Sequence, residues 1–401
     1  MGALDTQLQC QLDELDVESM RRQLRPRSGT GRVIQSQGSS LINFASNDYL
    51  GLSSHPRLRS AAIEAIKKFG VGSGASPLVS GHLELHAQVA RRFSAFKHAE
   101  ASLLFPCGYL ANLGVFTALA RPGDTVFIDK RSHASLIDAA RISGPTLCRF
   151  PHRDYDRLDQ LLSRSTSKGR IGRKFLVTDS VFSIDGTVAD LTVLCDLADQ
   201  YGATTVIDEA HGTGVFGPTG AGQCEVQGVS RRVDIVISTA SKALGGQGGI
   251  VTGSCPVIES LINRARSYIY TTSACPGQVA AIGAALEVIH DEPQRRRRLS
   301  DICHRIQSEL IRMNWIESGG VDFSTSVNTT AGPIVCLTTG SAPAAVALAA
   351  HLHSGGILAV PIRPPTVAPG RSCVRLGLRA DLEDGDLDQL LSVLAMAEVL
   401  T

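Results

Sequence analysis

Two short apolar runs, each ending in polar residues, limit the possible folds of this chain more than any other feature. Residues 206–214 have the sequence VIDEAHGTG and residues 238–246 have the sequence STASKALGG, so Asp208 and Lys242 are thirty-four positions apart. Val, Ile and Thr favour strands, and each run is therefore predicted to be a strand followed directly by polar residues. Ligands bind at the carboxyl ends of strands in open α/β sheets, so we expect these polar side chains to converge on one small molecule.

The polar side chains of the two segments match the chemistry of one cofactor. Lys242 can form a Schiff base, and the hydroxyls of Thr239 and Ser241 can bind a phosphate. An unpartnered buried carboxylate costs several kcal/mol, so Asp208 needs a cation, which a protonated pyridine nitrogen supplies. The segments therefore predict a pyridoxal 5′-phosphate site; the structural alternatives are a surface lysine and an aspartate that caps a helix.

Short β-rich runs alternate with helical stretches between about residues 100 and 255. This alternation predicts parallel strands with helical crossovers, and hence an α/β doubly wound sheet. The expected strands are 101–105, 125–129, 147–150, 175–178, 204–208, 234–239 and 249–252.

The pattern changes toward both ends of the chain. Residues 4–24 have apolar positions at helical spacing, which predicts an N-terminal helix packed on another part of the protein. From about residue 280 we expect one long helix through Leu286 and Ile302, and then strands. The apolar stripe of the first helix consists of Leu8, Leu12, Leu15 and Met20, and the late strands are expected near 333–338, 358–362 and 373–378. The predicted domains are an N-terminal helix and arm (1–45), a large cofactor-binding domain (46–280) and a smaller α+β domain (281–401).

Five further segments occur in a fixed order along the chain. They are NFASNDYLG at 43–51, GSGASPLVSG at 72–81, SHASL at 132–136, DSVFSIDG at 179–186 and IRPPTV at 362–367. Together with the two opening segments they resemble the fold-type I pyridoxal-phosphate enzymes and, within them, the α-oxoamine synthases, over nearly the whole chain. The resemblance implies a large, mostly parallel doubly wound sheet domain with a smaller α+β C-terminal domain. It also implies condensation of an amino acid with an acyl thioester and loss of carbon dioxide.

The resemblance implies four catalytic residues. Lys242 is the Schiff-base lysine and Asp208 the partner of the ring nitrogen. His133 resembles the histidine that stacks on the ring, with a core histidine as the alternative, and His211 resembles the histidine near the phenolic oxygen.

Other residues are expected to hold the cofactor. Gly108 and Tyr109 come between a strand and a helical stretch, so their backbone N–H groups can meet a phosphate at a helix N-terminus. Ser183 resembles a serine of the same pocket, unless it only forms a turn. Thr271 and Thr272 resemble residues that reach the phosphate of a neighbouring subunit, which implies a homodimer with shared active sites.

Further residues resemble those that contact substrates. Arg375 resembles the arginine that holds the amino-acid carboxylate, a task suited to a bidentate guanidinium; a surface arginine is the alternative. Asn47, Thr366, Arg21 and Arg363 resemble residues near the substrates.

Within the family, the segments at 208–214 and 362–367 are most similar to members that join L-alanine to a pimeloyl thioester of CoA or acyl-carrier protein. Members that use glycine and acetyl-CoA are the alternative.

The chain departs from the family pattern at Pro77, where many relatives have arginine, and at Ser241 and Ala243, where many have glycine. A catalytically silent subunit is disfavoured because Lys242 is present. A nicotinamide oxidoreductase remains as an alternative outside the class.

Composition argues against several other functions. The 39 Lys and Arg residues balance 38 Asp and Glu residues, so neither nucleic acid nor an anionic membrane is an expected partner. None of the 10 cysteines forms a C-x-x-C pair, and no run of ~18 apolar residues occurs, so neither a metal site nor a membrane span is expected. The cysteine usage and the acidic N-terminal segment predict a cytoplasmic protein.

Two weaker motifs have simpler explanations. Residues 70–74 (GVGSG) are similar to a dinucleotide-binding fingerprint but follow a helical segment rather than a strand. His82 and His86 have the spacing of zinc ligands on a helix but lack the glutamate of the metalloprotease motif, so they are expected on a helix surface.

Overall fold

The computed structural model describes residues 2–36, 38–167, 172–316 and 332–397. Helix α1 (Ala3–Val17) is followed by an antiparallel pair, β1 (Val33–Ser36) and β2 (Ser39–Asn43). The helix ends before residue 24 because Ser19 adopts a left-handed conformation with a φ of 55°. None of the residues of α1 is buried, so the packing predicted for its apolar stripe is absent from the single chain.

The next elements are helices α2 (Pro56–Phe69) and α3 (Glu84–Phe96), with a π-helical turn between them at Pro77–Gly81. They lead into the central sheet and its crossovers. In chain order these elements are β3 (Ala101–Phe105), α4 (Gly108–Leu119), β4 (Thr125–Asp129), α5 (Ala134–Ser143), β5 (Thr146–Phe150), α6 (Tyr155–Ser167), β6 (Lys174–Asp179), α7 (Leu191–Tyr201), β7 (Ala203–Asp208), α8 (Gln223–Val226), β8 (Ile235–Thr239) and β9 (Gly249–Gly253).

The central sheet has seven strands in the order β3-β9-β8-β7-β6-β4-β5. Strands β4 to β8 are parallel, whereas β9 runs antiparallel to both β3 and β8. Both faces are buried: Val126 and Ile128 of β4 belong to one apolar cluster, and Phe127 between them belongs to another. The prediction of a mostly parallel doubly wound sheet is confirmed.

The remaining elements build the C-terminal part of the chain. They are α9 (Cys255–Arg264), α10 (Arg266–Ile269), α11 (Pro276–Asp291), α12 (Gln294–Arg312), β10 (Ile334–Gly340), α13 (Ala342–Ser354), β11 (Ile357–Leu358), β12 (Val360–Ile362), β13 (Ser372–Gly377) and α14 (Asp384–Ala397). Strands β10, β13 and β12 form a small antiparallel sheet.

The prediction of a single long helix through Leu286 and Ile302 is wrong. The chain forms α11 and α12 there, with a break at Glu292 and Pro293. Proline has no N–H to continue the hydrogen bonds of α11, and its fixed φ suits the start of α12.

The short strand β11 pairs in parallel with β2. The N-terminal arm is thus joined to the C-terminal part by backbone hydrogen bonds, while the boundaries at 45/46 and 280/281 remain our proposal. Among the helices that the structure describes, none is long and apolar enough to cross a membrane.

Candidate active site

A cavity of about 250 Å³ lies where β6, β7 and β8 end and where α4 and α5 begin. This is the edge of the sheet at which the sequence predicted a ligand site. Eight of the predicted residues line it: Gly108, Tyr109, His133, Asp208, His211, Thr239, Ser241 and Lys242. The other lining residues are Cys107, Asn112, Ser135, Asp179, Ala210, Ile237 and Ser238.

The register of the sheet brings two buried carboxylates together. Asp179 ends β6, Asp208 ends β7, and their Cα atoms are directly paired across the two strands. Burial, together with the neighbouring charge of Asp208, raises the pKa of Asp179 well above its usual range, because two adjacent charges in a poorly solvated region repel. The negative charge of the pair therefore lies mainly on Asp208.

Asn112, on the second turn of α4, connects Asp208 with His133. Its Nδ2 donates to Asp208 Oδ2 at 3.1 Å and to Ser135 Oγ at 2.7 Å. The Ser135 hydroxyl lies 2.6 Å from His133 Nδ1, and the second oxygen of Asp208 accepts from the Ala210 N–H at 2.9 Å. Burial lowers the pKa of His133, which favours its neutral ring. The network fixes the orientations of Asp208 and His133 relative to each other.

Lys242 follows β8 in a glycine-rich turn. Gly245 and Gly248 have φ values of 65° and 145°, which glycine adopts without the strain that a side chain would cause. Burial lowers the pKa of Lys242 from 10.5 to about 8, although the negative charge of Asp208 opposes this shift. A reactive, neutral amine is therefore accessible near neutral pH.

The first turn of α4 packs closely against the last residue of β8 and the first residue of β9. A Cβ atom on Gly249 would lie 2.4 Å from the carbonyl oxygen of Cys107, so only glycine fits there. One on Gly108 would lie 3.7 Å from Thr239 Oγ1, and that hydroxyl is 2.8 Å from Ser241 Oγ. The first amides of a helix have no acceptor within the helix, and together with its dipole they suit a phosphate.

A second hydrogen-bonded chain reaches the cavity through His211. The Tyr49 hydroxyl is 2.7 Å from His211 Nδ1, and Arg375 Nη2 donates to Tyr49 Oη at 3.1 Å and to Asn47 Oδ1 at 2.9 Å. Burial lowers the pKa of His211 well below its usual value and raises the pKa of Tyr49 to about 12. Both rings are therefore neutral at pH 7. Asn47 and Arg375 lie beyond the cavity wall and contact each other directly.

The other predicted residues lie outside this cavity. Ser183 is half-buried in the turn after β6, and Thr271 and Thr272 lie in the turn before α11. Arg21 forms an ion pair within the N-terminal segment, and Thr366 is exposed in the turn after β12. The roles assigned to these five residues stay predictions.

The sequence contained only weak indications that three further residues belong to the site. Asn112 is one helical turn after Gly108 and shares its face of α4, which helical spacing could have indicated. Asp179 ends a predicted strand just as Asp208 does. Tyr49 was within a motif of the family resemblance, but its contacts with His211 and Arg375 depend on the tertiary fold.

The residues of the cavity fit pyridoxal phosphate. A charged, buried carboxylate, a lysine of lowered pKa and a helix N-terminus meet the needs of its ring nitrogen, aldehyde and phosphate. Asn112 Oδ1 is buried and lacks a hydrogen-bond partner within the described chain, so a donor from a ligand would satisfy it. No cluster of three or more His, Cys, Asp or Glu residues suited to a metal occurs among the described residues. The fold and the site define a pyridoxal-phosphate-dependent transferase of fold type I.

Residues 39–394 match the family model described as aminotransferase class I and II. The chain is 42% identical to the 8-amino-7-oxononanoate synthase of Anaeromyxobacter dehalogenans over 98% of its own length and 96% of that protein's. It therefore belongs to the class I and II aminotransferase family and, within it, to the α-oxoamine synthases that include the 8-amino-7-oxononanoate synthases. It is also 40% identical to the synthase of Geobacter sulfurreducens, with 96% of each chain covered.

Solved structures are similar over most of the chain. A serine palmitoyltransferase from S. paucimobilis with bound PLP and myriocin has a TM-score of 0.90 at 26% identity, covering 100% of this chain and 99% of that one. An 8-amino-7-oxononanoate synthase from Francisella tularensis has a TM-score of 0.74 at 26% identity, covering 90% of this chain and 98% of that one.

Proposed function

We propose that the protein condenses L-alanine with a pimeloyl thioester to give 8-amino-7-oxononanoate, carbon dioxide and a free thiol, in biotin biosynthesis. The observation that carries the proposal is the convergence of Lys242, Asp208, His133 and His211 on one cavity that is linked by hydrogen bonds to Arg375. Relatives that are 40–42% identical over nearly their whole length are named for this product.

Pyridoxal phosphate supplies an electron sink for the charge that develops at the amino-acid Cα. The carboxylate of Asp208 would keep the ring nitrogen protonated, and His133 would lie against the ring. His211 would donate to the phenolic oxygen. The N-terminus of α4, with Thr239 and Ser241, would hold the phosphate.

Lys242 would hold the cofactor covalently, and its amine, when free, would move the Cα proton of the amino acid. With a pKa of about 8 rather than 10.5, roughly 300-fold more of its amine is neutral at pH 7 than for an ordinary lysine. The shift thus favours both the attack on the cofactor and the later removal of a proton.

Arg375 binds the carboxylate of the amino acid. Its Nη2 is fixed by Asn47 and Tyr49, whereas its Nε is buried and without a hydrogen-bond partner within the described residues. A guanidinium held at one end in this way can offer its other N–H groups to a carboxylate. The same contact retains the carboxylate until it leaves as carbon dioxide.

Arg375→Ala is expected to raise the KM for alanine far more than the KM for the acyl thioester, because only alanine has a carboxylate to pair with the arginine. Loss of this charge-assisted contact should cost about 1.5–3 kcal/mol. Steady-state kinetics with each substrate varied in turn measures the difference. Arg371→Ala, which removes an exposed positive charge just before β13, is the matched control. Equal effects on both substrates would instead indicate a folding role for Arg375.

The choice of substrates rests on sequence similarity, because the fold does not discriminate between members of the family. The chain has a higher TM-score to the serine palmitoyltransferase than to the synthase from Francisella tularensis, at equal identity. The identity of 40–42% to the two 8-amino-7-oxononanoate synthases therefore supports this substrate pair. Condensation of glycine with acetyl-CoA is the second candidate, supported by the shared family motifs.

Product analysis by mass spectrometry tests the substrate pair. The purified protein is expected to turn over alanine with pimeloyl-CoA or the corresponding acyl-carrier-protein thioester faster than glycine with acetyl-CoA or serine with palmitoyl-CoA. The gene should also restore growth without biotin to a strain blocked at this step. Faster turnover of either rival pair, or failure to rescue, would contradict the substrate assignment and leave the cofactor assignment intact.

The protein acts as a cytoplasmic homodimer in this proposal. Thr271 and Thr272 do not reach the cavity of their own chain, which is consistent with an assignment to the phosphate of a neighbouring subunit. Sedimentation equilibrium of the cofactor-loaded protein tests the dimer, and a monomer that retains full activity would contradict shared sites.

A further inference from the structure

Tyr49 is fully buried and lies between His211 and Arg375. The proposed function places His211 beside the cofactor and Arg375 at the amino-acid carboxylate. The Tyr49 hydroxyl contacts His211 Nδ1 at 2.7 Å and Arg375 Nη2 at 3.1 Å, and Asn47 Oδ1 is 3.2 Å away. Arginine can only donate hydrogen bonds, so the Tyr49 oxygen accepts from Arg375. The single proton of the tyrosine must then go either to His211 or to Asn47.

The distances favour His211 as the acceptor. Hydroxyl donors usually lie 2.5–3.0 Å from an oxygen acceptor, whereas N–H donors centre on about 2.9–3.0 Å. The 2.7 Å contact with Nδ1 is short for an N–H donor and suits a hydroxyl donor, while the 3.2 Å contact with Asn47 is long for a hydroxyl. Asn47 Oδ1 already accepts from Arg375 at 2.9 Å, so it does not need the tyrosine proton.

We infer that Tyr49 is a positioning residue whose hydroxyl donates to His211 Nδ1, so that the neutral imidazole carries its own proton on Nε2 and presents that N–H to the cofactor cavity. The ring is buried and neutral, so it carries a single proton on one of its two nitrogens. The inference rests on the proposed function for the group that the N–H meets, the phenolic oxygen of the cofactor. The opposite tautomer would place a nitrogen lone pair against that negative oxygen, which is repulsive.

Arg375 also affects the hydrogen bond to His211, because it donates to the same Tyr49 hydroxyl. Its donation to the Tyr49 oxygen polarises the O–H bond and strengthens the donation to His211, since successive hydrogen bonds reinforce one another. The site of the amino-acid carboxylate is thereby connected to the histidine beside the cofactor through a single buried oxygen.

The tautomer can be measured directly by nitrogen NMR of the full-length, cofactor-loaded protein labelled with ¹⁵N-histidine. The resonances of His211 are those lost in His211→Gln. We expect a neutral ring with the proton on Nε2 in the wild type, and a shift toward the other tautomer in Tyr49→Phe. A wild-type ring with the proton on Nδ1, or a doubly protonated ring at neutral pH, would overturn the inference. This experiment needs no substrate, so it is independent of the assignment of alanine and the pimeloyl thioester.

Kinetics separates a role at His211 from a role at Arg375. Tyr49→Phe is expected to lower kcat about tenfold, the effect of one lost hydrogen bond, with a KM for alanine close to that of the wild type. A raised KM with unchanged kcat would show that Tyr49 serves only the arginine, and the inference would fail. Tyr155→Phe is the matched control, since its hydroxyl also makes a hydrogen bond inside the protein, at 2.6 Å to the Asp190 N–H, away from the cavity. It should leave both constants unchanged.

Discussion

Replacing Lys242 by alanine is expected to abolish turnover while leaving a folded protein. The variant loses both the covalent attachment of the cofactor and the amine that moves the Cα proton. Removal of a proton-transfer group alone typically costs about 10²- to 10⁴-fold, and loss of the covalent step adds to this. Stopped assays with L-alanine and pimeloyl-CoA, followed by mass spectrometry of the product, measure the loss.

The fold should survive because the buried amine of Lys242 lowers the free energy of unfolding. Its pKa is lowered to about 8 in the folded protein, so at neutral pH the unfolded chain binds the proton more tightly. The contribution of Lys242 to the free energy of unfolding therefore increases as the pH rises from about 8 to 10.5, its pKa in the unfolded chain. Lys242→Ala should remove that rise, which urea unfolding of the cofactor-free protein at several pH values detects.

A matched control and a trapping experiment make the Lys242 result specific. Lys174→Ala removes another lysine whose amine makes hydrogen bonds, to Thr166 and to Tyr201, but which is remote from the cavity lining, and it should retain turnover. Borohydride reduction should attach the cofactor to residue 242 alone. Wild-type turnover in Lys242→Ala, or a reduced adduct on another lysine, would contradict the assignment.

The central sheet was predictable from sequence because its strands are buried on both faces and separated by helical crossovers. The predicted run 125–129 coincides with β4, in which every residue is buried. Strand β9 was expected at nearly its observed position, but its antiparallel direction was not, since direction depends on the connection between strands and leaves no periodicity in the sequence. The break at Pro293 was missed because the apolar pattern continues on both sides of it.

The candidate site was predictable to the extent that its residues follow strands directly. Asp208 is the last residue of β7 and Lys242 follows β8, and the geometry of a parallel sheet brings such positions together. Asn112 was missed because it acts from within a helix. Tyr49 was missed because its two partners are 162 and 326 positions away, a separation that no local pattern reports. Arg375 has contacts that fit its predicted role but lies outside the cavity itself.

The exposed N-terminal helix illustrates a further limit. Its apolar spacing indicated a packed face, yet Leu8 and Leu12 are 46% and 36% exposed in the single chain. Periodicity shows that a helix has an apolar side, but it does not show which surface covers that side.

Two buried carboxylates at the same edge make the Asp208→Asn variant informative. Burial and the neighbouring charge of Asp208 raise the pKa of Asp179, so Asp208 is the member of the pair expected to supply the charge that a protonated ring nitrogen needs. The amide introduced by Asp179→Asn would keep an acceptor for the backbone N–H of His133, which now bonds Asp179 Oδ2 at 3.0 Å. Asp179→Asn is accordingly the matched control, and it should slow turnover less than Asp208→Asn does.

Asp208→Asn is expected to bind the cofactor but to turn over slowly, because a neutral amide cannot hold the ring nitrogen protonated. Asn112 and Ala210 donate to different oxygens of Asp208, and an amide keeps only one acceptor oxygen, so the variant loses one of these hydrogen bonds as well as the charge. Breaking a buried ion pair by removing one partner costs about 3–5 kcal/mol, which corresponds to on the order of 10²- to 10⁴-fold in rate. Single-turnover kinetics at saturating cofactor measures the loss. Near wild-type rates in Asp208→Asn, or a larger loss in Asp179→Asn, would mean that the charge paired with the ring nitrogen lies on the other strand.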